Sequence, residues 1–364
     1  MATLQEMSRD VREGRPARLY YFYGHDVGAL ENYVKKLTSR LLPASERAMN
    51  LHRFDGGSLN IGEIADACEM LPLFAQRAVI TINDLNIDKT PKADADDLRK
   101  ILSDLPETTT VIIYATGVDL YKNKRSLTDK NKRFCDFCAK NGVVYEFTYK
   151  RSDDMAKDIV LDCRAQGCEI SRGSARYLAE LCLCETSAVD REIEKLTAYA
   201  AGREITKADI DLLCIKKIDS DGFALAINIL RSNAPLVFKR IRELRDQNFE
   251  AYEIVGAISF SLNDLYRARL AVSSGRTQAQ CAADFKYPKN REFAVRNAFN
   301  ECQNISKGRI RNALNIFADT DRILKTRSSG RANDLLLVEE AAARAMAFKK
   351  DAPPPPPLAD MRGY

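Results

Sequence analysis

The sequence predicts an α/β domain on a parallel sheet followed by a series of helices, and three observations carry that reading. Between Leu19 and Phe147, short apolar runs rich in β-branched and aromatic residues alternate with stretches of helical period. Strand and helix in alternation make a parallel sheet with helices on both faces. After Lys150 the pattern changes and only helices are expected. At 364 residues the chain is also too long for one ordinary domain, which suggests two or three. The expected division is 1–150, 151–215 and 216–348, with a tail over 349–364.

The first strand is Leu19-Tyr20-Tyr21-Phe22-Tyr23, and Gly24-His25-Asp26 turns the chain into a helix from about Gly28 to Leu41. A weaker strand around Leu51 to Phe54 precedes a short helix, Ile61 to Met70, with apolar residues at Ile61, Ile64, Ala65 and Cys68. Ala78-Val79-Ile80-Thr81-Ile82 is a continuous apolar, β-rich run, the signature of a strand buried on both faces. A helix near Ala95 to Leu105, the strand Val111 to Tyr114, a basic helix over about Lys130 to Lys140 and the strand Val143 to Phe147 complete the alternation.

Between the short helix and the third strand lies Met70-Leu71-Pro72-Leu73-Phe74-Ala75-Gln76-Arg77. Pro72 cannot continue a helix and biases Leu71 to an extended backbone. Leu73 and Phe74 therefore fall on a connection, and connections normally run over the surface. Two large apolar side chains there have two readings. Either they fold back and cap the core, or they form a plug for a pocket on another protein.

A sheet of this kind holds a nucleotide phosphate at its first strand-to-helix turn. The phosphate-binding pattern is GxxxxGK followed by Ser or Thr. Counted from Gly24, Ala29 stands at the second glycine and Leu30 at the lysine. The third strand ends Asn83-Asp84-Leu85, without the paired acids of a magnesium and water site. The topology suits a nucleotide but the chemistry is missing, so no cofactor is expected. Val118 to Arg133 holds Lys122, Lys124, Arg125, Lys130, Lys132 and Arg133. That run is either a solvated face or a contact for a nucleic-acid backbone, with Tyr121 as the sole aromatic able to stack.

Ten cysteines and no apolar leader in Met1 to Arg18 point to free thiols in a reducing cytoplasm. Cys135-Asp136-Phe137-Cys138 is the only CxxC; it shares a helix with Phe134 and reads as core, because a zinc site needs four ligands at closer spacing. His25 and His52 are too few and too far apart for a metal site or a catalytic pair. The 56 basic against 51 acidic residues are too balanced for a protein that coats nucleic acid. No apolar run approaches the length that spans a bilayer.

In the helical part, Ser187 and Asp190 are spaced as a capping box ahead of a stripe of Val189, Ile193, Leu196 and Ala200, with Gly202 as the stop. Thr206 and Asp209 repeat the box before Ile210, Leu212 and Leu213. Further on, Asn233-Ala234-Pro235, Gly275, Tyr287-Pro288 and Ser328-Ser329-Gly330 punctuate the helices. Ile310, Leu314, Phe317, Asp321 and Leu324 form a stripe, with Lys325 placed to pair with Asp321. Five prolines, Pro353 to Pro357, make a tail that cannot join a helix or a sheet.

Four stretches in this order resemble the delta subunit of the bacterial DNA polymerase III clamp loader. They are Leu19 to Asp26, Pro72-Leu73-Phe74-Ala75-Gln76-Arg77, Glu192-Ile193-Glu194-Lys195-Leu196 and Asp321-Arg322-Ile323-Leu324-Lys325-Thr326. The resemblance spans about Tyr20 to Phe348; Arg327-Ser328-Ser329 departs from it where a glycine is expected earlier. It implies an AAA+-like (RecA-type) sheet domain without ATP hydrolysis over 1–150, a small helical lid over 151–215 and an all-α collar over 216–348. It also implies a role: binding the ring-shaped sliding clamp (the beta subunit) through Pro72, Leu73 and Phe74 and holding one of its interfaces open. Implied partners are the gamma/tau ATPase subunits, delta-prime and primed DNA, within a polymerase holoenzyme that is a nucleotidyltransferase. Two other classes remain open, an ATPase with a degenerate phosphate loop and a DNA-binding accessory protein using the basic run.

Overall fold

The computed structural model describes residues 4–122, 126–214, 218–326 and 331–347. It divides into two compact units, Met1–Tyr149 and Lys150–Tyr364.

The first unit runs α1 (Leu4–Arg12), β1 (Leu19–Gly24), α2 (Val27–Leu41), α3 (Arg47–Asn50), β2 (Leu51–Asp55), α4 (Ile61–Glu69), β3 (Ala78–Asn83), α5 (Lys92–Ser103), β4 (Thr109–Tyr114), β5 (Tyr121–Lys122), β6 (Ser126–Leu127), α6 (Asp129–Asn141) and β7 (Val143–Phe147). The main sheet is parallel and five-stranded, in the order β2-β3-β4-β1-β7. The alternation along β1 explains its aromatic run. Leu19, Tyr21 and Tyr23 enter a core with Ile64, Leu98 and Phe134, while Tyr20 and Phe22 enter another with Met7, Leu30 and Val34. Helices α4, α5 and α6 thus cover one face and α1 and α2 the other. β3 is buried along five of its six residues, as a strand covered on both faces must be.

In the first unit α1, the four-residue α3 and the β5–β6 hairpin had no sequence signal strong enough to read. α1 is a short helix, and among its described side chains only Met7 is fully buried. The β5–β6 hairpin has only two residues in each strand, too few to show alternation.

The second unit is helical: α7 (Ser152–Ala165), α8 (Arg172–Leu181), α9 (Thr186–Ala200), α10 (Lys207–Leu213), α11 (Ile218–Leu230), α12 (Ala234–Asp246), α13 (Ala251–Ser273), α14 (Gln278–Asp284), α15 (Glu292–Glu301), α16 (Lys307–Thr326) and α17 (Arg331–Ala347). It holds two separate main cores. α7 to α10 enclose Ile159, Leu178, Ile193 and Leu196, and the later helices enclose Ile258, Leu262, Ile310 and Phe317. Residue 215, where the sequence suggested a boundary, lies outside the described residues, as do Arg327 to Gly330 and the proline tail. Between the two cores the links are polar. Arg151 pairs with Glu292 at 3.0 Å, Arg296 pairs with Glu180, and Asn290 donates to the Leu183 carbonyl at 3.1 Å.

α13 is the axis of the larger core and packs against α11, α15 and α16. Gly222 lets α11 approach it: a Cβ there would lie 2.6 Å from the Ala257 carbonyl. The Thr206–Asp209 capping box forms, and Arg203 adds two bonds of 2.7 Å to the Asp209 carboxylate. The Ser187–Asp190 box does not form. α9 begins at Thr186 with Glu185 as its cap, so Ser187 sits inside the first turn. A capping side chain must stand on the extended residue before that turn. Along α16, Ile310 and Phe317 are buried, Leu314 and Leu324 half-buried, and Lys325 reaches Asp321 at 2.7 Å.

Candidate functional site

The connection from α4 to β3 is the most exposed apolar feature of the first unit. α4 stops at Met70, whose N–H donates to the Asp66 carbonyl before the backbone turns extended toward Pro72. From there Leu71 is 74%, Leu73 51% and Phe74 96% exposed, while Pro72 is half-buried. The core-capping reading therefore fails for Phe74. An aromatic ring left almost entirely in water forgoes roughly 1.5–3 kcal/mol of burial.

Exposure does not leave this loop loosely held. The Leu73 N–H donates to Asn50 Oδ1 at 2.7 Å, and Asn50 Nδ2 donates back to the Leu73 carbonyl at 2.9 Å. Asn50 is itself only 1% exposed, and its second amide hydrogen goes to the Glu46 carbonyl at 2.9 Å. Downstream, Ala75 packs against the α1–α2 core. Arg77 donates to Thr110 Oγ1 at 2.9 Å and to the Thr109 carbonyl at 3.3 Å. Burial lowers the Arg77 pKa, and those two acceptors on β4 compensate the buried charge. Thr109 also ties back to the end of α4 through the Cys68 carbonyl, at 3.0 Å. Between these anchors Phe74 adopts φ +55°, a left-handed backbone that bulky residues avoid. Backbone strain of that kind collects at functional sites, where the surroundings enforce it.

The nucleotide turn lies at the other end of the sheet. The loop enters β3 at its N-terminus, whereas Gly24-His25-Asp26 leaves β1 at its C-terminus, and the strands are parallel. Here Asp26 is buried and its carboxylate accepts the Ala29 N–H at 3.1 Å. The protein's own anion thus occupies the helix N-terminus that a phosphate would use. Leu30 is fully buried in the core. Gly24, at φ +145°, lies so close to β7 that a Cβ would meet the Phe147 carbonyl oxygen at 2.1 Å. Asp84, at the end of β3, accepts from the Thr116 and Gly117 N–H groups at 2.6 and 2.7 Å and so closes a turn.

Of the basic run, Lys122, Lys130, Lys132 and Arg133 are exposed; Lys124 and Arg125 lie outside the described residues. α6 turns Asn131, Phe134, Cys135 and Cys138 inward between those cations. Tyr121 stacks on His25 at 4.4 Å and donates to Glu146 at 3.1 Å. All ten cysteines are buried and free. No cluster of three metal-ligating side chains occurs among the described residues. Nor, among those residues, is any helix long and apolar enough to cross a membrane.

Asn50 carries no signal in the sequence that would mark it. It lies 23 residues from Leu73, and only the pairing of β2 with β3 brings it to the loop.

Comparison with known proteins supplies the context for this loop. Among solved structures, a Bacillus subtilis DNA clamp loader delta protein (YqeN) is similar in fold: TM-score 0.63, 18% identity, 94% of this chain and 99% of that one. A Thermotoga maritima RuvB Holliday junction branch migration motor aligns at TM-score 0.38 and 15% identity over 62% of this chain and 73% of that one, too weak a likeness to carry argument. No curated protein sequence matches the chain. Family models do match: that of the DNA polymerase III delta subunit over residues 20–140, and that of the C-terminal domain of the same delta subunit over residues 219–343. The chain belongs to the DNA polymerase III delta-subunit family and is one of the subunits of a clamp loader.

Proposed function

We propose that Leu73 and Phe74, stiffened by Pro72, are the side chains through which this subunit grips the sliding clamp. The supporting observation is the combination at Phe74: a ring 96% in water on a backbone anchored on both sides. An apolar anchor that is already positioned loses little conformational entropy on docking. A few such anchors dominate most protein interfaces. Opening the ring needs more than affinity. The contact must bind the sprung form of the clamp better than the closed form, because a ligand shifts an equilibrium only by its differential affinity. Residues of α4, adjacent to the loop in the chain, would act as the lever.

On this reading ATP is bound and hydrolysed by partner subunits of the gamma/tau type, with delta-prime completing the loader. Support comes from the turn after β1, where Asp26 and Leu30 stand in place of phosphate and lysine. Residues 151–215 would be the lid and 216–348 the collar that holds the loader together. The subunit works in the cytoplasm as part of the nucleotidyltransferase holoenzyme. Exposed Lys122, Lys130, Lys132 and Arg133 would face primed DNA in the assembled complex. The test of the central assignment is photo-crosslinking from position 74 in the whole loader. Crosslinks to the clamp are expected; crosslinks confined to other loader subunits would make the loop an assembly surface instead.

A further inference from the structure

We infer that Asn50 is the positioning residue of the docking loop. Its buried amide fixes the Leu73 backbone and so holds Phe74 in the orientation in which it binds. The inference rests on the proposed clamp contact and adds a cause for its readiness.

Asn50 makes two of its three hydrogen bonds to the loop. Its two N–H groups go to the Glu46 and Leu73 carbonyls, and its oxygen accepts the Leu73 N–H. The β2–β3 ladder begins one residue later, where Leu51 lies opposite Val79. Before that point the β2–β3 ladder is not formed, and the side-chain amide supplies the hydrogen bonds to the loop instead. The chemistry selects the residue. Aspartate can accept from Leu73 but not donate to it, and alanine can do neither. Serine has one donor for two carbonyls.

Loss of this bridge should loosen the loop more than the fold. Leu73 is half exposed, so its freed N–H and C=O can turn to water. The anchors after Phe74, Ala75 and Arg77, remain. Phe74, however, is held at φ +55° only while both sides are fixed. Released on one side, it can relax toward the extended backbone that a bulky residue prefers, which redirects the ring. If the docked conformation then makes up about a tenth of the population, apparent clamp affinity falls about tenfold.

The sequence contains no tryptophan, so Phe74→Trp places a single indole reporter on the loop of the full-length chain. Adding Asn50→Ala should increase the fast component of the indole anisotropy decay. With Phe74 in place, Asn50→Ala should weaken binding to the sliding clamp about tenfold while the melting temperature moves by only a few degrees. Asn50→Asp, which keeps the acceptor but turns an oxygen toward two carbonyls, should not restore the loop. In the unaltered protein the Leu73 amide should exchange with solvent slowly. A folded Asn50 variant with a rigid indole and clamp affinity within twofold of the parent would overturn the assignment. So would a fast-exchanging Leu73 amide, a test that needs no variant to fold. The outcomes separate from the docking proposal itself. If Leu73→Ala with Phe74→Ala abolishes clamp binding while Asn50 variants leave it intact, only the positioning role falls. If that double change leaves binding intact, the docking site itself is wrong.

Discussion

Replacing Leu73 and Phe74 by alanine should remove clamp binding while leaving the fold almost untouched, and the size of both effects follows from their exposure. Phe74 is 96% exposed in the free subunit, so docking can bury nearly the whole ring. Burying a side chain of that size contributes about 1.5–3 kcal/mol. Leu73 is already half-buried, which leaves about 1 kcal/mol for it to gain. Together the pair should contribute about 2.5–4 kcal/mol, a loss of roughly 70- to 900-fold in clamp affinity when both are truncated. Stability runs the other way. Core Leu and Phe residues cost about 2–5 kcal/mol each on truncation, but Phe74 has almost no buried surface to lose. The melting temperature should fall by no more than a few degrees. Surface plasmon resonance on immobilised clamp and a thermal melt on the same preparation measure the two quantities. A double variant that melts far below the parent would return the pair to the core; one that melts normally and binds the clamp at parental affinity would refute the docking site.

Three further outcomes follow. Gly24→Ala must fit a Cβ where the Phe147 carbonyl stands, at a backbone angle that favours glycine, and should cost about 3 kcal/mol or more in a denaturant titration. In the helical unit, hydrogen bonds first from Arg203 and then from the Thr206 backbone and hydroxyl hold the Asp209 carboxyl well below its usual pKa. A depressed carboxyl stabilises the fold above its unfolded pKa, near 4 by the usual reference of about 3.9, and loses that contribution as pH falls. Asp209→Asn should therefore lower the melting temperature at pH 7, and the gap from the parent should narrow below about pH 4. Finally, Lys130→Glu, Lys132→Glu and Arg133→Glu together should weaken binding of the assembled loader to primed DNA and flatten its salt dependence, by about 0.7–0.9 in log–log slope for each phosphate no longer neutralised. An unchanged slope would leave those cations as a solvated face.

The sheet was legible because its signals are local. Val79, Ile80 and Ile82 announce a strand covered on both faces, and Pro72 ends α4 within two residues of its observed stop. The missing phosphate lysine could likewise be read at Leu30. What occupies the turn was equally local, since Asp26 caps the helix through the Ala29 N–H three residues on, whereas the close approach of Gly24 to β7 joins positions more than a hundred residues apart and has no local signal. The Ser187 box looked right in spacing and failed because the helix starts ahead of it, a boundary that spacing alone does not set. At the loop, composition left Leu73 and Phe74 divided between core and surface. The loop that exposes them is anchored by Asn50, which bonds Leu73 from the start of β2, and by Arg77, which bonds Thr109 and Thr110 on β4, partners 23 to 33 residues away that no local pattern encodes.

The most direct measurement of the central claim is ring opening itself. A sliding clamp carrying a self-quenching fluorophore pair across one interface reports separation of that interface as a rise in emission. With the parent subunit in the assembled loader and ATP present, emission should rise. With Leu73→Ala and Phe74→Ala it should stay at the closed-ring level even when the subunit is supplied at the highest practical concentration. A ring that opens equally well with the double variant would contradict the claim that these two side chains grip the clamp and spring it.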